Sequence, residues 1–279
     1  MRIPVVFTPH EGFAVPLAVA LYSMFINANN DTEYDIRLFI PEEFSEETLC
    51  KLKSLFNRFG KHSLTAHRVT ESDFYIADSI PAEPATYFRL LLPELCGDLD
   101  RCIYLDPDIV VLGDLTELYT VDVEGLYVAG VKAAGFYYPV EWRDEHLAEI
   151  GLPTIESYIN AGVILLNLSE LRKNNIMLKF RELYKCGFSV RDQDILNVSC
   201  FGYIKIIPLK WNAMTKYFTT KSPGYERGQL VYSPEEWNEA DTSPIIIHYA
   251  DRIKVWHDPT RYQSEIWFRY KELSEFDCQ

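Results

Sequence analysis

The chain has 279 residues, 48% of them hydrophobic, 24% charged, with a formal net charge of −14. That length and apolar share sustain a sizeable core, and the charge fraction is that of a folded protein rather than a disordered one. So acidic a surface lacks the basic footprint that nucleic-acid binding needs, and it disfavours docking on anionic lipid.

In chain order, Ile3 to Phe7 reads as a buried strand and Pro16 to Phe25 as a helix packed on it. Tyr34 to Ile40 alternates as a second strand. Ser45 opens an amphipathic helix, with Ser45 as N-cap, Thr48 three residues on and Gly60 as the stop. Ser63 to Val69 is a third strand, Tyr87 to Glu94 a helix, and Arg101 to Leu105 a fourth strand. This rhythm predicts an α/β fold, with a mostly parallel sheet covered by helices on both faces. Ligands of such sheets gather at the carboxyl ends of the strands. Tyr127 to Lys132 and Ala161 to Leu168 read as later strands, Leu171 to Lys185 and Asp192 to Cys200 as helices, and Ile245 to His248 as a last strand. Phe136 to Ser157 and Tyr217 to Glu239 read as loops. The best parse is one domain over residues 1–279, whose rhythm changes near residue 120 and whose C-terminal half is elaborated.

The start, MRIPVVFTPHEGF, has no apolar run of signal-peptide length, and Val163 to Leu166 is too short to span a membrane. The six cysteines lack CxxC spacing and read as thiols of a reducing compartment. A cytoplasmic location is expected, with at most peripheral membrane contact through Trp267 to Lys271. That aromatic stretch reads first as a helix packed on the domain.

The strongest chemical signal is Asp106-Pro107-Asp108, delivered to the end of an apolar strand. Two carboxylates held that close repel each other and call for a cation, and oxygen ligands suit Mg²⁺ or Mn²⁺. An exposed Asp-Pro turn is the plainer reading. His248 ends a second apolar strand and suits Mn²⁺ beside carboxylates, and Lys254 follows within reach of a phosphate. Asp192 and Gln193 open a helix, where Asp192 is either its N-cap or, with Gln193, a sugar contact. Asn160 offers a donor and an acceptor, and Gly162 permits close backbone approach.

Taken in order, VVFTPHEGFAVPLAVALYSM, ATYFRLLLPEL, YLDPDIVVLGDLTELY, NAGVILLNL, DQDILN and HYADRIKVW resemble glycosyltransferase family 8, over residues 3 to 256. The resemblance implies a retaining, metal-dependent GT-A enzyme, with a Rossmann-like sheet and an elaborated C-terminal half. It would move a hexose, glucose or galactose, from a UDP-sugar donor to a saccharide or glycolipid acceptor. Asp106, Asp108 and His248 match the family's Mn²⁺ ligands. Arg89, Asn160, Asp192 and Gln193 match residues around the donor sugar, with Gln193 and Asp192 at the reacting centre. Lys254 matches the lysine on the diphosphate, and Thr8 and His10 fall where the base is held. Three departures predict an altered donor preference or weakened turnover: His10 and Gly12 in place of an acidic residue and an asparagine, Asp251 in place of a glycine, and Lys132-Ala133-Ala134 where an aspartate is common. A carboxylate at 251 repels a diphosphate unless it turns away. The acidic surface favours a neutral acceptor. Two rival readings are a phosphatase with Asp106 as nucleophile and a non-catalytic binding protein of the same fold.

Overall fold

The computed structural model describes residues 1–70, 73, 84–219 and 223–277. The chain runs β1 (Arg2–Phe7), a 3₁₀ turn over Glu11–Phe13, α1 (Ala14–Ile26), β2 (Glu33–Pro41), α2 (Glu46–Phe56) and β3 (Ser63–Val69). It continues through α3 (Phe88–Leu95), β4 (Arg101–Leu105), β5 (Ile109–Val111), α4 (Thr116–Tyr119), β6 (Val128–Lys132) and α5 (Val140–Ile150). Next come β7 (Ile159–Asn167), α6 (Leu168–Lys173), α7 (Ile176–Tyr184), α8 (Arg191–Cys200), β8 (Ile204–Ile206) and β9 (Ala213–Met214). The chain ends with α9 (Thr215–Phe218), α10 (Pro223–Val231), α11 (Pro234–Thr242), β10 (Ile246–His248) and α12 (Ser264–Ser274).

Seven strands form one sheet in the order β3-β2-β1-β4-β7-β6-β8. The β4–β7 and β7–β6 pairs are antiparallel and the others parallel. Successive side chains of a strand point to opposite faces, and here both faces are covered. Ile3, Val5, Phe7, Ile103 and Leu105 pack with Leu17 and Leu21 of α1. Val6 and Tyr104 pack the other way, with Leu90 and Leu92 of α3. This is why β1 and β4 read as unbroken apolar runs. The expected N-cap is present: Ser45 Oγ accepts from the Thr48 amide at 3.1 Å.

Several expectations are corrected. The helix expected over Leu171 to Lys185 is two helices, because Asn175 turns the chain at φ +54°. The Phe136–Ser157 stretch carries α5, a helix too polar to show a clear apolar stripe. Its stop signal, Gly151 at φ +70°, is legible in hindsight. The Tyr217–Glu239 stretch is largely helical, and Ser233 caps α11 by accepting from the Glu236 amide. The aromatic tail is the packed helix expected, α12, with Trp267 2% exposed in a cluster with Val19, Tyr249 and Val255. Burying such a ring stabilises the fold by roughly 1.5–3 kcal/mol or more, so this face belongs to the core. No described helix is long and apolar enough to cross a membrane. Five cysteines are free thiols, and Cys278 lies outside the described residues.

Two junctions set up the site. β1 and β4 lie side by side and parallel, so Thr8 and Asp106 leave the same edge of the sheet. β7 enters antiparallel at that edge, where the Asp106 amide donates to the Gly162 carbonyl at 2.7 Å. A second, three-stranded sheet has the order β5-β10-β9. Its register sets His248 against Ile109 and against Met214, and the Tyr249 amide donates to the Asp108 carbonyl. The two sheets thus meet across Asp106-Pro107-Asp108.

Candidate active site

Asp106, Asp108 and His248 come together, with one potential ligand atom from each lying within 4.8 Å of the others. His248 Nε2 stands 3.3 Å from Asp108 Oδ1 and 3.9 Å from Asp106 Oδ2. Gly162 makes the cluster possible: a Cβ there would lie 2.4 Å from the His248 ring and 2.5 Å from Asp106 Oδ2. Lys254 Nζ donates to Asp108 Oδ2 at 2.6 Å. Burial pushes the Asp108 carboxyl up, but His248 and Lys254 outweigh it and hold the group well below the usual carboxylate range.

Asn212, which sequence reasoning missed, orients the histidine. Its Nδ2 donates to Asn160 Oδ1 at 2.9 Å, which turns its Oδ1 towards His248 Nδ1 at 2.8 Å. A carbonyl oxygen only accepts, so Nδ1 carries the proton and Nε2 faces the two carboxylates. A proton on Nε2 pairs His248 with Asp108; with that proton displaced, Nε2 and the two carboxylates offer three ligand atoms to one buried corner, which fits a divalent cation. Asn212 is fully buried, and Asn212→Leu is expected to weaken Mn²⁺ binding about 10- to 100-fold with the fold retained. Calorimetric titration with Mn²⁺ checks this, and unchanged affinity would refute the orienting role.

The network continues beyond Asn212. Asn160 Nδ2 donates to Gln193 Oε1 at 3.0 Å, which also accepts from the Ala161 amide. Gln193 Nε2 donates to Tyr158 Oη, and Tyr158 donates to Asp194 at 2.5 Å. The N-cap reading of Asp192 is corrected. Val190 holds the cap position, and its amide donates to the Asp194 carboxylate. Asp192 instead forms an ion pair with Arg89, its carboxylate 2.8 Å from Nε, whose hydrogen is donated to the Thr86 carbonyl. Arg89 Nη2 donates to Asp106 at 3.0 Å, its Nη1 to the Ala161 carbonyl at 2.6 Å, and its guanidinium lies over the Tyr104 ring. Burial, with Asp106 adding to it and Arg89 opposing, pushes the Asp192 carboxyl up to about 6.

A cleft of 560 Å³ opens onto these groups, lined among others by Thr8, His10, Arg89, Asp106, Asp108 and Lys254. Tyr104 Oη donates to Asp106, so the bond between Thr8 and Tyr104 has Thr8 Oγ1 as its donor. His10 is exposed; its Nδ1 accepts from the Gly12 amide and its ring meets Phe13 edge-on. Glu11 accepts from the Ser45 amide and anchors this loop to α2. Asp251 does not line the cleft; it turns to Thr215, whose Oγ1 donates to it at 3.0 Å.

The family model for glycosyl transferase family 8 matches residues 4–260. General stress protein A of Bacillus subtilis is 26% identical over 92% of this chain and 90% of its own length. A lipopolysaccharide 1,2-glucosyltransferase of Escherichia coli is 28% identical over 93% of this chain and 74% of its own. Among solved structures, galactosyltransferase LgtC with donor and acceptor sugar analogues superposes with a TM-score of 0.78 at 26% identity, covering 99% of this chain and 98% of its own. The apo bifunctional glycosyltransferase WbbM matches with a TM-score of 0.86 at 22% identity, over 97% of this chain and 49% of that one. The sheet order, the position of the cleft and these matches agree, and the chain belongs to glycosyltransferase family 8.

Proposed function

We propose that this chain is a retaining hexosyltransferase that takes glucose or galactose from UDP-hexose, with Mn²⁺ or Mg²⁺, and passes it to a hydroxyl of a saccharide or glycolipid. The observation that carries the reading is the convergence of Asp106, Asp108 and His248 on one corner of a cleft that also receives Arg89 and Lys254. Asp106, Asp108 and His248 would hold the ion, which would supply Lewis-acid stabilisation to the leaving diphosphate. Arg89 and Lys254 supply positive charge where the leaving diphosphate develops negative charge. The lipopolysaccharide glucosyltransferase relative supports the hexose and the glycolipid acceptor.

Retention needs either a covalent nucleophile or same-face attack guided by the leaving phosphate. Asp192 is buried and held by Arg89, and both ends of the Gln193 amide are bound within the protein. That geometry favours same-face attack, with Asp192 and Gln193 positioning the sugar. Trapping a glycosyl adduct on Asp192 would overturn it. The phosphatase alternative needs a free Asp106, whose Oδ1 is instead engaged by Arg89 and Tyr104.

Thermal unfolding against a panel of nucleoside diphosphates and nucleotide sugars, with and without Mn²⁺, tests the proposal. A ligand that binds only the native state raises the melting temperature by mass action. A Mn²⁺-dependent rise with UDP is expected; no rise with any nucleotide would favour the non-catalytic reading. The Asp192 carboxyl, pushed up to about 6, predicts that transfer falls as pH drops through that value. A pH profile of kcat should show this acid limb, and Asp192→Asn should remove it.

A further inference from the structure

A second pocket, of 570 Å³, shares no lining residue with the donor cleft. It nonetheless borders the reacting centre. Val190, two residues before Asp192, lines it, and so does Asp251, three residues beyond His248. The Phe136–Ser157 and Tyr217–Glu239 stretches converge here. The Gly135 amide donates to Tyr217 Oη at 3.2 Å, and Arg227 Nη1 donates to the Gly135 carbonyl at 3.1 Å. Phe136 is half-buried and Trp142 39% exposed, so both offer ring surface to a sugar.

The charged residues of the lining are Lys216, Arg227 and Asp251. The Asp251 carboxylate is engaged by Thr215, and among the described residues neither Lys216 nor Arg227 has a carboxylate at ion-pair distance. Lys216 is half-buried and stands two residues beyond Met214, which pairs with His248, so this pocket lies beside the metal corner. Burial lowers its pKa, with Asp251 opposing. Two cations without an ion-pair partner, beside aromatic surface and next to the reacting centre, call for an anion on a saccharide.

We propose that this pocket is the acceptor subsite and that it takes a saccharide bearing an anionic substituent, held by Lys216 and Arg227. The inference rests on the transferase reading above and names the acceptor class within it. The net charge of −14 points the other way, towards a neutral acceptor. Salt screens exposed charges beyond about 8–10 Å, so the cations lining the pocket outweigh the distant surface.

The test is calorimetric binding of glucose 6-phosphate, glucose and inorganic phosphate to the full chain, without nucleotide. Glucose 6-phosphate is expected to bind at least about tenfold more tightly than either of the others. Lys216→Gln and Arg227→Gln should each weaken it by about tenfold, and Lys216→Arg should restore most of the affinity. The proposal fails if glucose binds as well as its phosphate, if inorganic phosphate binds as well as glucose 6-phosphate, or if the Lys216→Gln/Arg227→Gln double variant keeps its affinity. The Mn²⁺-dependent UDP shift, measured separately, reports on the donor reading. Its absence alongside intact, Lys216-dependent binding would sink that reading and leave this anion site standing.

Discussion

Asp108→Asn is expected to abolish Mn²⁺-dependent nucleotide binding and to lower sugar transfer roughly a thousandfold, the several kcal/mol of charge stabilisation that a bound cation supplies to a leaving diphosphate. The substitution preserves volume, so the backbone junction between the two sheets should survive. What changes is charge. Asp108 is 5% exposed and lies between Lys254 at 2.6 Å and His248 at 3.3 Å. Its carboxyl is held low in the folded protein, so ionisation contributes stability above the ordinary carboxylate pKa that is lost as pH falls through the lowered value. The asparagine variant lacks this contribution and leaves Lys254 without its partner. It should therefore melt at a lower temperature than the parent near neutral pH. Mn²⁺ titration followed by calorimetry, together with initial rates of transfer, checks the prediction. Unchanged metal affinity would remove Asp108 from the ligand set and weaken the whole site assignment.

Arg89→Met should lose both donor binding and about 3–5 kcal/mol of stability at neutral pH, the cost of stripping the partner from buried charge. One guanidinium here serves Asp192, Asp106 and the Ala161 carbonyl while lying 4.5 Å from the centre of the Tyr104 ring. Methionine fills much of the same space and satisfies none of the three acceptors. The pH response separates this account from a simple packing defect. The Asp192 carboxyl already sits near 6 against an ordinary 3.8. A carboxyl raised on folding contributes stability that is fully present below its unfolded pKa and is lost as pH rises through the folded one. Without Arg89 that value climbs further, so the variant should recover stability on acidification more steeply than the parent. Urea unfolding at pH 5.5 and 7.5 reads this out. Adding Asp192→Asn should restore part of the loss at pH 7.5. Equal destabilisation at both pH values, with no rescue, would point to packing alone.

The sequence by itself determined the β–α alternation, the apolar strands β1, β2, β4 and β7, and the delivery of Asp106, Asp108 and His248 to strand ends. These are local properties. An unbroken apolar run states that both faces of a strand are covered, and the charge that ends it states where the cover stops. The ordered motifs added the family. Partner choice was not legible, because periodicity says which face a residue occupies and not what it meets there. Asn212 reads as an ordinary loop amide until β9 lies beside β10 and turns it onto His248. Asp192 and Asp194 stand two residues apart on the same helix. Packing gave Asp192 to Arg89, and it gave Asp194 to the Val190 amide, Tyr158 and His146. Asp251 reads as a threat to a diphosphate until Thr215 draws it out of the cleft. Each of these outcomes depends on contacts between segments remote in the chain, fixed only when the two sheets close on each other around Asp106 and Asp108.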